Sequence, residues 1–82
     1  MAYKRKEYLK VLSVFQEVSS KFLYKPMSPR TILEVKETLL NTQAQMYQMD
    51  RNPIWKTPFD VVVTSPGTFE IKLLIMEDLI ID

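Results

Sequence analysis

Hydrophobic positions follow a helical period over the first half of the chain and a strand period later. Between Tyr3 and Tyr24, the residues Tyr8, Val11, Leu12, Phe15, Val18 and Phe22 recur at helical spacing. They gather on one stripe, with Lys10, Gln16, Glu17 and Lys21 mostly opposite. Pro26 closes this helix, because the residue before a proline is pushed out of the α region. Ser28 offers a side-chain cap to a second helix, and Pro29 takes its first position, where a missing N–H costs nothing.

The spacing predicts helices over about residues 3–24 and 29–50. On the second, Val35, Leu39, Thr42, Met46 and Met49 alternate steps of four and three, and Ile32 extends this seam. Leu33, Leu40, Ala44 and Tyr47 form a second apolar row beside it. One row can pack on the first helix. The other needs the hairpin or a partner.

Asp50-Arg51-Asn52-Pro53 breaks the helix, and Ile54 to Pro58 reads as an irregular or extended link. From Phe59 the period becomes two. Two β-rich runs, about residues 59–64 and 69–75, flank Ser65-Pro66-Gly67, which holds the only glycine. Alternation selects the register. Pairing Val63 with Phe69, Val61 with Ile71 and Phe59 with Leu73 puts all six on one face and sets Asp60 opposite Lys72. A slip of one residue sets Val61 against Lys72 and Asp60 against Leu73, mixing the two faces. The tail, Glu77 to Asp82, reads either as a third short strand or as an apolar hook for a neighbour. The expected fold is therefore α+β: one domain, residues 1–82, with a two-helix hairpin packed on a small antiparallel β-hairpin sheet.

Composition changes this picture in two ways. The chain has no cysteine and no histidine. That removes disulfides, thiolate metal sites and the commonest general base near neutral pH. A core this small needs support, and association is the remaining route to it. Charge is also divided: residues 1–41 carry net +4 and residues 42–82 net −3. Lys4, Arg5, Lys6 and Lys10 mark the basic end, and Glu77, Asp78 and Asp82 the acidic one. Such a chain can attract anions at one end or join head to tail with a copy of itself. No signal peptide and no membrane span is expected, so the chain is expected to be soluble, cytoplasmic or incorporated in a virus particle, with nothing in the sequence to fix the location.

Candidate chemistry is sparse. Pro58-Phe59-Asp60 followed by Glu70-Ile71-Lys72 resembles the PD-(D/E)xK nuclease signature, in which carboxylates hold Mg²⁺ and the lysine assists the attacking water. The resemblance implies a Mg²⁺-dependent nuclease using Asp60, Glu70 and Lys72. This chain departs from the family at Phe59, which separates the proline from Asp60, and only ten residues follow Lys72. The simpler reading is a solvent-facing Asp60–Lys72 cross-strand pair with Glu70 nearby. Lys4-Arg5-Lys6 with Tyr3, Tyr8 and Lys10 forms a basic patch with interleaved aromatics, interrupted by Glu7.

The expected function is therefore non-enzymatic and without a cofactor: a structural or interaction subunit of a larger protein assembly. Its most specific form is a minor component of a phage particle, such as a tail or head–tail protein. The alternatives are a small regulator binding a host protein or nucleic acid through the basic first helix, and the nuclease. Expected partners are another protein or copies of the chain. The expected partner-binding residues are Trp55, Val62, Leu74, Leu79, Ile80 and Ile81. Trp55 is a rigid anchor, Val62 and Leu74 lie on the outer sheet face, and the other three form the tail.

Overall fold

A computed structural model of the chain describes residues 2–82. In order, it comprises β1 (Tyr3–Lys4), α1 (Arg5–Ser19), a 3₁₀ turn (Ser20–Phe22), α2 (Pro29–Asp50), a second 3₁₀ turn (Pro53–Lys56), β2 (Phe59–Ser65), β3 (Thr68–Leu73), a third 3₁₀ turn (Glu77–Leu79) and β4 (Ile80–Ile81). The fold is α+β, as the pattern predicts.

The second helix keeps its expected bounds because both ends are signalled chemically. The Ser28 hydroxyl accepts from Thr31 N–H at 3.3 Å, and Pro29 opens the first turn. At the other end Arg51 is left-handed, φ 56°, and its N–H donates to Tyr47 C=O at 2.8 Å. The first helix is shorter than expected at both ends. Tyr3 and Lys4 are extended, drawn off by pairing with the tail. At the far end the Ser19 and Ser20 hydroxyls bond back to Phe15 C=O and Glu17 C=O, at 2.7 and 2.8 Å, and the chain tightens to a 3₁₀ turn. The expected link over residues 54–58 also differs. Its first part is a 3₁₀ turn, because Asn52 Oδ1 caps Ile54 N–H at 3.0 Å and Pro53 fixes the next φ.

The hairpin has the predicted register: Phe59 pairs with Leu73, Asp60 with Lys72, Val61 with Ile71, Val62 with Glu70 and Val63 with Phe69. A bulge between Val63 and Ser65 then shifts the last pair to Ser65 and Thr68. The second strand ends at Leu73 rather than residue 75, although Leu74 N–H still donates to Pro58 C=O at 2.8 Å.

The core draws on every part of the chain. It joins Val11, Phe15 and Phe22 to Val35 and Leu39 of α2, Ile54 and Trp55 of the turn, and Val61 and Leu73 of the hairpin. The Phe15 ring meets Phe59 edge-on with centroids 5.4 Å apart, and Trp55 lies 6.3 Å away. The α2 seam runs Val35, Leu39 and then Gln43, whose Nε2 donates to Thr57 C=O at 2.7 Å. Met49, expected on the seam, is 78% exposed. A step of 3.5 residues drifts from the 3.6-residue turn, so the sixth seam position has rotated away from the core.

Candidate interaction surface

The tail is folded back on its own chain. Tyr3 pairs with Ile80 and Lys4 with Ile81 in a short parallel ladder. Arg5 reinforces it: its guanidinium donates to Glu77 Oε1 at 2.8 Å and to Asp82 Oδ1. These two bonds, Glu77's first, raise the Arg5 pKa above its ordinary value. The basic start and the acidic end therefore meet within one molecule. Arg5 is no longer available to a partner, which leaves Lys4, Lys6 and Lys10 as the exposed cations of the basic patch.

This placement divides the expected partner residues. Trp55 is 2% exposed, its ring in the core and its Nε1–H donated to Asp50 Oδ2 at 3.0 Å. Ile80 is 8% exposed. Neither offers a face to another molecule, because each is already covered by this one. Leu74, at 59%, and Ile81 are exposed, while Val62 and Leu79 are half-buried. Leu74 and Leu79 meet in a groove of about 220 Å³ with Tyr3, Ile75 and Met76. Val62 stays apart on the outer face of the hairpin.

Asp60, Glu70 and Lys72 share that outer face, all three exposed. Asp60 Oδ1 accepts from Val61 N–H at 2.9 Å and makes no ion pair with Lys72. Among the described residues, no group of three or more His, Cys, Asp or Glu is placed to hold a metal ion. Nor is any helix among them long and apolar enough to cross a membrane.

Most of the second apolar row of α2 lies outside the core, although Tyr47 packs against it. Leu33 and Leu40 are each 56% exposed and Ala44 is exposed, while Tyr47 is half-buried beneath the Lys56 ammonium, 4.3 Å from its ring centroid.

Exposed hairpin edges invite strand addition, as the sequence leads one to expect, and the structure distinguishes the two edges. In an antiparallel pair, residues alternate between bonding their partner strand and pointing their main chain outward. The Leu74–Pro58 bond fixes the phase: positions 58, 60 and 62 bond to 74, 72 and 70. The outward set is thus Phe59, Val61 and Val63 on β2, and Phe69, Ile71 and Leu73 on β3. On the β2 edge Asp60 takes the N–H of Val61, and Gln43 takes Thr57 C=O just before the strand begins. On the β3 side Tyr24 N–H takes Gly67 C=O at 2.6 Å, beyond the strand. The main-chain groups of Phe69, Ile71 and Leu73 have no partner among the described residues. Beside them a groove of about 460 Å³ opens between Gln16, Ser19 and Leu23 and the half-buried Phe69 and Ile71. The hairpin register together with Pro58 contained this signal.

No family model, curated protein or solved structure matches the chain.

Proposed function

We propose that this chain is a non-enzymatic subunit of a protein assembly that joins its partner by strand addition at the β3 edge. The observation that carries this reading is the asymmetry of the hairpin. On β2 the outward N–H of Val61 is already taken by Asp60, whereas β3 presents the donors and acceptors of Phe69, Ile71 and Leu73, unpartnered among the described residues, beside a groove. An open edge of this kind is a template for an incoming strand, and proteins that do not use one normally block it. The exposed α2 row of Leu33, Leu40 and Ala44 supplies a second contact for a larger partner.

The test is the native size of the chain in extracts of the cells that make it. The wild type should run in a complex larger than the monomer. Ile71→Pro removes an outward N–H that bonds no described residue, and proline is tolerated on such an edge. That variant should run as the monomer while keeping its circular dichroism spectrum. A wild type that runs only as a monomer contradicts the reading.

A further inference from the structure

The open edge of β3 is self-complementary in charge, and we propose that two copies of this chain join along it, antiparallel about a two-fold axis. The product is a four-stranded sheet in the order β2–β3–β3–β2. The inference rests on the assembly reading above and names the partner.

Main-chain geometry limits the choices. Only Phe69, Ile71 and Leu73 present N–H and C=O to this edge, so a symmetric pair must match these residues with one another. Three registers keep a useful overlap. One places the axis at Glu70 and sets that carboxylate against its own copy. Another places it at Lys72 and opposes two ammonium groups. Like charges directly opposite are destabilising. The third places the axis at Ile71. Glu70 of each copy then faces Lys72 of the other, twice over, in the closely spaced non-hydrogen-bonded positions of the ladder. On the helix-facing side Phe69 meets Leu73 of the second copy and Ile71 meets Ile71. One register therefore satisfies charge and apolar pattern together.

The rest of the molecule agrees with it. Glu70 and Lys72 are both exposed, and neither forms an ion pair among the described residues. The groove beside Phe69 and Ile71 gives the incoming strand space under Gln16, Ser19 and Leu23. Further growth would have to use the β2 edges, where Asp60 already holds the Val61 N–H, which favours a closed pair over a fibre.

Charge exchange followed by sedimentation equilibrium tests the proposal. The proteins are the wild type, E70K, and D60N/K72E, in which D60N removes the in-chain carboxylate facing position 72. Circular dichroism confirms that each is folded. The wild type should show a monomer–dimer equilibrium over a series reaching several hundred micromolar. Each variant alone should dimerise at least about tenfold more weakly, since each brings two like-charge contacts onto the edge. An equimolar mixture should recover dimer, because lysines of one chain then face carboxylates of the other, and added salt should reduce that recovery. A wild type that stays monomeric throughout overturns the proposal. So does a dimer whose dissociation constant neither variant alters. If the purified wild type is monomeric but runs in a larger complex in cell extracts, the second-copy proposal falls and the assembly reading stands.

Discussion

Gly67 closes the hairpin at a place where a side chain has no room. Its φ is +82°, and a Cβ there would lie 3.0 Å from Tyr24 Cα. The crowding is a consequence of the bond from Tyr24 N–H to Gly67 C=O, which ties the helical layer to the hairpin tip. Gly67→Ala should therefore destabilise the fold by about 1–2 kcal/mol from the left-handed conformation alone, measured by urea denaturation. Asp50 is a second organising residue. It accepts from Asn52 N–H and from Trp55 Nε1–H, and the first of these chiefly holds its pKa below the usual 3.8. A carboxyl with a lowered folded pKa stabilises above its unfolded value, and the gain is lost as pH falls through the folded one. Asp50→Asn should thus lower the urea midpoint near neutral pH, and the difference from wild type should shrink below pH 3.8. Both residues were legible as punctuation, a turn glycine and a helix stop. Their contacts with Tyr24 and Trp55 were not, since each joins the residue to a separate structural element.

Among the elements, α2 and the hairpin register could be read directly, because each is specified locally. Ser28-Pro29 and Asp50 to Pro53 bracket the helix, and a one-residue slip would mix the hairpin's two faces. The short parallel pair of β1 and β4 could not be read that way. Two-residue strands have no period, and their partners lie at opposite ends of the sequence. The available signal was charge: a basic start and an acidic end meet at Arg5, Glu77 and Asp82. The bulge at the hairpin tip and the serine-tightened end of α1 had no pattern to announce them. Pairing makes the tail part of the fold, and its two isoleucines should differ. Ile80 is buried and Ile81 is half exposed. Ile80→Ala should cost about 2 kcal/mol, whereas Ile81→Ala should stay within about 0.5 kcal/mol, both by urea denaturation. Equal and small losses would mean that the tail contributes little to the monomer.

At the scale of the whole molecule, the division of charge between the two halves no longer requires a second copy, because Arg5 closes it internally. Other apolar surface remains outside the core, on α2 at Leu33 and Leu40 and on the sheet at Leu74. Leu40→Lys should change the stability of the isolated chain by no more than about 0.5 kcal/mol, since the residue is exposed. It should reduce the size of the native complex if the α2 row is a contact, as gel filtration of extracts would show. The β3 edge is the more specific feature, because its donors and acceptors have defined positions and its charges select one register.

Amide hydrogen exchange resolved by residue tests that edge most directly. In dilute protein, Phe69 and Ile71 amides should exchange fast while Glu70 and Lys72, bonded to β2, are protected. On concentrating the protein, protection should appear at Phe69 and Ile71. Equal protection of all four amides in the dilute monomer would contradict an open β3 edge.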